Sequence, residues 1–302
     1  MLDILIKAGC FVAIIVLGYT LKKIGVFKES DFSVLSTITL KLTLPAAIIS
    51  NFANKELDPS LFTLTLLALL CGGIYMLLGY FLNLKNSKDQ QAFEILNLPG
   101  YNIGCFTLPF VQNFLGPLGV ISCCLFDIGN GFVCLGGAFS IASVVKDGAK
   151  LSVKRIVNTL SKSVPFICFL IMPILCLLHV PIPKPITSLA QIIGNANAFT
   201  AMLMLGVGFK LTAERHQLGR IFGVLSIRFL VAAALAVCFY LLLPFSAEVR
   251  KSLVLLVFSP IGSAVPAFTG EMKSDVGLSS AINSISIICS IIIMVILLLI
   301  IP

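Results

Sequence analysis

Two charged side chains stand inside apolar segments of the sequence. Lys41 lies about ten residues from either end of the segment 32–52, and Asp127 lies at a similar depth in the segment 117–145. A charge far from the ends of a membrane-spanning helix is costly without a partner, so such residues bind substrate, carry protons or pair with each other. We expect Lys41 and Asp127 to serve anion binding or proton transfer. A permanent Lys41–Asp127 ion pair with a structural role is the alternative.

Two other apolar segments carry residues that interrupt helices. They read NLPGYNIGCFTLP over 97–109 and FSPIGSAVPAF over 258–268. A proline removes a backbone hydrogen bond, and hydrocarbon offers no water to replace it. Breaks that meet near the middle of a membrane direct half-helix N-termini and freed carbonyls at one wet cavity, which suits ion binding. The alternative is a pair of proline kinks satisfied by neighbouring helices.

The candidate site combines residues from these segments. Candidates for substrate binding are Lys41, Asn102, Gly104, Pro109, Asn195, Asn197, Pro260, Gly262 and Pro266, and candidates for coupling are Asp127, Asn130 and Asn283. The asparagines suit the orientation of a carboxylate, although intramembrane amides also bond neighbouring helices. Arg228 is expected to snorkel to the membrane interface. Gly206 and Gly208 are expected to permit close helix packing.

The composition indicates an integral membrane protein. Apolar residues make up 58% of the 302 residues, charged residues make up 11%, and the mean hydropathy is +1.08. A spanning helix needs about 20 apolar residues. On that scale the chain has about ten spans, at 3–22, 32–52, 60–82, 92–115, 117–145, 164–180, 186–209, 218–244, 249–270 and 276–301. The ten cysteines fall in apolar segments and are read as small buried hydrophobes.

The charges between the spans predict the orientation. One side holds only Lys7, Lys55, Lys184, Arg250 and Lys251, and the other side holds nearly all remaining lysines and arginines. Cytoplasmic loops are the basic ones. We therefore expect a multi-pass protein of the inner or plasma membrane with both termini outside the cytoplasm. This topology accounts for the net charge of +8 without a nucleic-acid partner.

The spans divide into two halves of five. Residues 1–145 form the first repeat, 146–163 form a cytoplasmic linker with an amphipathic helix, and 164–302 form the second repeat. An odd number of spans per half makes the second repeat inverted, and inverted repeats with broken helices at corresponding positions indicate a secondary transporter. A shift of 154 residues places Lys41 on Asn195, and a shift of 156 places Asp127 on Asn283.

Motifs along nearly the whole chain resemble those of the auxin efflux carrier family. They are GYTLKKIGVF at 18–27, LKLTLPAAI at 40–48, YNIGCFTLPF at 101–110, FDIGNG at 126–131, LMLGVGFKL at 203–211 and SPIGSAVPAF at 259–268. The resemblance implies an all-α fold similar to sodium/bile acid symporters and NhaA, with two inverted five-helix repeats and crossed broken helices. It further implies that spans 1, 2, 6 and 7 form a scaffold around which the other six move. The short central loop fits the bacterial branch.

The function expected from the resemblance is secondary active transport of a small organic anion, a mono- or dicarboxylate or an auxin-like acid, by an elevator mechanism. Proton coupling is favoured, because SPIGSAVPAF lacks the acidic residue that sodium-driven bile acid relatives carry there. A sodium-coupled bile-acid-type symporter and a membrane sensor that binds the ligand without moving it remain alternatives.

No enzymatic activity, cofactor or metal is expected, because the midplane polar residues offer no paired base and nucleophile and no metal-ligand spacing. The expected partners are the anion, the lipid bilayer and a proton or sodium ion. A homodimer remains open.

Overall fold

The fold is entirely helical in the part of the chain that the structure, a computed structural model, describes, residues 2–210 and 215–301. Leu211, the last residue of the 203–211 motif, lies outside the described residues. Backbone groups in hydrocarbon must bond within their own segment, which selects helices for so apolar a chain. The prediction of an all-α polytopic membrane protein is confirmed.

The first half of the chain forms eight helices. These are α1 (Leu2–Lys23), α2 (Asp31–Ile38), α3 (Leu44–Phe52), α4 (Thr63–Phe81), α5 (Lys88–Asn97), α6 (Leu108–Phe114), α7 (Pro117–Phe132) and α8 (Ala138–Asp147). Two π-helical turns accompany them: Thr39–Thr43 joins α2 to α3, and Ile103–Thr107 leads into α6. Between α7 and α8 the chain is kinked over Val133–Gly137, where Leu135 and Gly136 are not helical. A short 3-10 turn, Pro59–Phe62, precedes α4.

The second half forms eight more helices. These are α9 (Val153–Ser161), α10 (Val164–Leu177), α11 (Lys184–Asn195), α12 (Asn197–Gly208), α13 (Leu218–Leu242), α14 (Ala247–Val257), α15 (Val265–Glu271) and α16 (Val276–Ile300), with a 3-10 turn Arg215–Gln217 before α13. Helix α9 lies in the predicted linker 146–163, and the chain bends by 82° between α9 and α10.

Seven continuous stretches of the described residues are long and apolar enough to cross a bilayer, and the bent pair α9–α10 makes an eighth. The predicted count of ten spans also needs the segments 88–114 and 247–271, in which the helix is broken into two short pieces. The count of ten and the inverted repeats therefore remain predictions.

The helices pack in two groups. In the scaffold group, residues 2–52 and 164–208, α1 packs along α12, and α3 packs against α10 and α11. In the crossover group, residues 59–147 and 218–300, α4 packs on α5 and α7, α13 packs on α14, and α15 packs on α16. The two groups meet where α7 contacts α10 and where α1 contacts α16. The two groups contain the same spans as the scaffold and the moving part that the resemblance implies, and movement of one group against the other remains a prediction.

Glycines bring two scaffold helices into close contact. A Cβ atom at Gly18 of α1 would lie only 2.6 Å from the carbonyl oxygen of Leu203 and 3.2 Å from the Cα of Gly206, both on α12. At Gly208 a Cβ atom would meet the ring of Phe32. The prediction that Gly206 and Gly208 serve helix packing is confirmed.

Candidate functional site

Two helices of the crossover group are interrupted near their middles. Between α5 and the π turn that leads into α6 the chain unwinds over 98–102, and between α14 and α15 it unwinds over 258–264. Gly100 adopts φ +83°, a conformation that side chains other than glycine rarely take. The prediction that both segments are interrupted helices is confirmed.

The two prolines that correspond between the breaks, Pro109 and Pro266, have a different local role from the one expected. Pro109 is the second residue of α6, and Pro266 is the second residue of α15. At this position the missing N–H is not needed by the helix. Pro266 therefore begins the second half-helix of its segment, whereas Pro109 follows the π turn Ile103–Thr107 with which its own half-helix begins. The unwound backbone contains Pro99 and Pro260.

The two breaks are in direct contact. The backbone N–H of Asn102 donates to the carbonyl oxygen of Pro260 at 2.8 Å. A short hydrogen bond joins the hydroxyl groups of Thr107 and Ser259. Two unwound segments 160 residues apart in the chain thus satisfy part of each other's backbone, and together they form the crossover.

Arg228 lies at the crossover, and the prediction that it snorkels to the interface is wrong. Its side chain is 0% exposed. The guanidinium donates to the carbonyl oxygens of Leu98, Gly100 and Ser259, with a longer contact of 3.4 Å to that of Pro260. Buried carbonyls without donors are costly, and only a guanidinium offers five N–H groups in one plane. Hydrogen bonds to these carbonyls stabilise Arg228 in the interior more than hydration would stabilise it at the membrane interface.

Side chains on the following helix hold each break. On α7, the Asn130 amide accepts from the N–H of Tyr101 at 2.9 Å and donates to its carbonyl at 2.8 Å. On α16, the Ser286 hydroxyl accepts from the N–H of Ile261 at 3.1 Å, and Asn283 donates to the Ile261 carbonyl at 2.8 Å. One residue of each break thus has both of its backbone groups satisfied by the next long helix.

Asp127 belongs to α7, and its side chain lies beside the start of the second half of the first broken helix. Its carboxylate accepts from the Asn130 amide at 2.7 Å and lies close to Gly104. A Cβ atom at Gly104 would lie 3.6 Å from the Asp127 Oδ2 atom and 2.7 Å from a methyl group of Leu44. A negative charge is favoured beside a helix N-terminus, where backbone N–H groups lack partners. Because Gly104 has no side chain, the Asp127 carboxylate can come close to this N-terminus where the two helix groups meet.

A cavity of about 370 Å³ opens beside the crossover. Its wall includes six of the predicted site residues, Lys41, Asn102, Gly104, Asp127, Asn130 and Gly262. Both π turns and the kink between α7 and α8 contribute to the wall, through Leu40, Cys105 and Cys134 among others. The cavity extends to Lys162 and Ser163 at the corner between α9 and α10, on the predicted cytoplasmic side.

Asn102, a residue of this cavity wall, has a side-chain donor without a partner. The residue is 5% exposed, and its Nδ2 atom has no hydrogen-bond partner among the described residues. A buried amide nitrogen without an acceptor costs about 1–3 kcal/mol. A ligand that supplies an acceptor oxygen would remove that cost.

Lys41 lies on the opposite wall, in the π turn of the scaffold group. The residue is exposed, and among the described residues no ion pair joins it to Asp127. The alternative of a permanent Lys41–Asp127 salt bridge is therefore wrong for this conformation. Because Lys41 lies in a π turn, its side chain leaves the backbone in a different direction from that in a regular α-helix.

The other predicted site residues lie outside this cavity wall. Pro109 and Pro260 are buried, and Asn197 is 0% exposed and accepts from the Thr43 hydroxyl at 3.1 Å. Asn195 is exposed at the end of α11. Pro266 and Asn283 line a second cavity of about 290 Å³, near the Glu29–Lys210 ion pair. These residues do not line the first cavity in this conformation, and their roles in the site remain predictions.

A comparison with protein families identifies the chain. The model of a family described as membrane transport protein matches residues 10–298. The chain belongs to this family, the family of the auxin efflux carriers. No curated protein matches the chain significantly. The predicted resemblance is thereby confirmed, and members of the membrane transport protein family are transporters rather than enzymes.

The sequence interpretation missed the functional position of Arg228 in this membrane transport protein. Two signals were present: two breaks release carbonyl groups that require donors, and Arg228 is the one arginine within the apolar part of a span. Thr107 and Ser259, which join the breaks, were also missed, because single hydroxyl residues carry no distinctive spacing.

Proposed function

We propose that this membrane transport protein is a secondary active transporter of a small organic anion, a mono- or dicarboxylate or an auxin-like acid. The observation that carries the proposal is the unsatisfied Nδ2 atom of Asn102, nearly buried in the wall of a cavity at the crossover. An anionic oxygen is the strongest acceptor for such a donor.

The cavity offers an anion two further attractions. Lys41, on the scaffold side, lines the same cavity and adds a positive charge to it. The half-helix that begins at the π turn Ile103–Thr107 directs its N-terminal N–H groups there. Apart from the polar residues the wall is apolar, with Leu44, Phe166 and Phe169 around the site. This combination suits a carboxylate attached to a compact apolar body.

Asp127 is the group that couples the anion to protons in this proposal. While ionised, its carboxylate lies close to Gly104 and repels a second negative charge in the same cavity. Protonation removes the repulsion and leaves the half-helix N-terminus free for the substrate carboxylate. One proton on Asp127 then accompanies one anion, and both are released together.

Transport itself follows from the position of the cavity between the two helix groups. Lys41 and Leu44 belong to the scaffold group, whereas Asn102 and Asp127 belong to the crossover group. An elevator movement of the crossover group along the scaffold carries the bound anion and opens the cavity to the other side. In this proposal the basic loops, residues 146–163 among them, are cytoplasmic and both termini lie outside the cell membrane, so this cavity is the inward-facing one.

Binding of small carboxylates tests the site. Purified wild-type protein is heated with a panel of mono- and dicarboxylates, and the ligand-induced rise in unfolding temperature is measured. Lys41→Ala and Asn102→Ala should lose that rise while remaining folded. The matched controls are Lys55→Ala and Asn113→Ala, which lie outside the cavity wall and should retain it. An unchanged rise in both site variants would contradict the proposal.

The two alternative functions make different predictions. A sodium-coupled bile-acid-type symporter would require sodium for accumulation, and a sensor would bind the anion without moving it. Flux measurements in proteoliposomes distinguish all three.

A further inference from the structure

The guanidinium of Arg228 occupies a cage of backbone carbonyls at the crossover. The carbonyls of Leu98 and Gly100 follow the C-terminus of α5, and those of Ser259 and Pro260 follow the C-terminus of α14. Both half-helices direct the negative ends of their dipoles at this point. The rings of Tyr75 and Tyr101 lie 5.4 and 5.0 Å from the guanidinium carbon and add to its stabilisation.

No carboxylate of the described residues forms an ion pair with Arg228. A buried cation is normally paired with an acidic side chain. Here the oxygen atoms and helix dipoles of the two breaks balance the charge instead. Arg228 therefore sits where the local field favours a cation of any kind.

In transporters with broken helices, unwound carbonyls and half-helix C-termini are the groups that coordinate a coupling sodium ion. We propose that Arg228 is a permanent internal cation in that position, so that the crossover of this protein neither needs nor admits sodium. Arg228 acts as a positioning residue that joins the two breaks. It does not contact the substrate.

One consequence of this inference rests on the proposed function: transport of the substrate should not depend on sodium. The cation position itself rests on contacts that do not depend on transport, so it is tested without a substrate.

The test measures thermal unfolding of the purified protein in buffers of equal ionic strength that contain sodium, choline or low millimolar guanidinium. Wild-type protein should unfold at the same temperature in sodium and in choline. Arg228→Ala should unfold at a lower temperature and should gain a saturable rise of roughly 2–4 °C from guanidinium, which refills the cage. Arg250→Ala is the matched control, because Arg250 also donates to a backbone carbonyl, that of Tyr240, away from the crossover.

A specific stabilisation of wild-type protein by sodium would overturn the proposal, and this arm requires no variant. Equal responses of Arg228→Ala and Arg250→Ala to guanidinium would also overturn it. Failure of every carboxylate to bind would contradict the proposed function and leave these two outcomes readable.

Discussion

Replacement of Asn130 by alanine removes four hydrogen bonds at the first break, one of them accepted from the Cys134 thiol at 3.3 Å. The side chain accepts from the Tyr101 N–H, donates to the Tyr101 carbonyl and donates to Asp127, at 2.7–2.9 Å. No backbone partner replaces it, because Tyr101 lies in unwound chain. A buried backbone group left unsatisfied costs about 1–3 kcal/mol.

The expected loss follows from two such groups. The two unsatisfied groups together would lower the free energy of unfolding by about 2–6 kcal/mol. Water from the adjacent cavity replaces part of the lost hydrogen bonding, so we expect a loss of ~2–3 kcal/mol. For a chain of this size each kcal/mol shifts the unfolding temperature by roughly 2–4 °C. Asn130→Ala should therefore unfold about 5–10 °C below wild type.

The cysteines of the chain provide the assay. The protein has no tryptophan, but Cys105, Cys123 and Cys124 are buried and free. A fluorogenic maleimide reacts with them as the protein unfolds. The control is Asn113→Ala, whose amide donates to a carbonyl within its own helix and is exposed. If Asn130→Ala unfolds at the same temperature as this control, the claim that Asn130 stabilises the first break is refuted.

Two glycine substitutions test the backbone of the crossover and the scaffold by the same assay. Gly100→Ala should lower the unfolding temperature by several degrees, because φ +83° costs a side chain about 1–2 kcal/mol and the new Cβ atom would lie 2.5 Å from the Cys134 sulfur; Gly73→Ala, with no atom within 4 Å of its new Cβ, should not lower it. Gly206→Val should separate α1 from α12 and destabilise by at least about 2 kcal/mol, whereas Gly223→Val on open helix surface should be near neutral. Unfolding at the control's temperature in either pair would contradict the packing described.

The breaks were predictable because their physical cause is local. Proline and glycine interrupt a helix wherever they occur, and an apolar sequence around them leaves few other interpretations. The contact between the breaks was expected from the pattern of the two halves. Its atoms, such as the bond from Asn102 to Pro260, depend on how two distant helices cross, which no local pattern specifies.

The direction of each polar side chain was not predictable to the same degree. Arg228 is the eleventh residue of α13, close to the middle of a helix that spans Leu218–Leu242. Its rotation toward the breaks, rather than toward lipid, is set by tertiary packing. Asn195 and Asn197 illustrate the same limit. Two residues apart, on either side of the junction between α11 and α12, one is exposed and the other is fully buried.

Lys41 and Asp127 stand out in the sequence by their depth, since a charge inside an apolar span is costly. The absence of an ion pair between them was not predictable, because the π turn Thr39–Thr43 alters the direction of Lys41. Both side chains reach the same cavity wall without forming an ion pair in the described structure. Their roles in binding and coupling remain predictions.

The most direct measurement of the account is the accumulation of a labelled, membrane-impermeant dicarboxylate in proteoliposomes under an imposed pH gradient, with protein-free liposomes as the control. Wild-type protein should concentrate the anion on the alkaline side, equally in sodium and in choline buffer. Asp127→Asn should exchange the anion across the membrane without concentrating it. Binding without flux in the wild type, or undiminished accumulation by Asp127→Asn, would contradict the account.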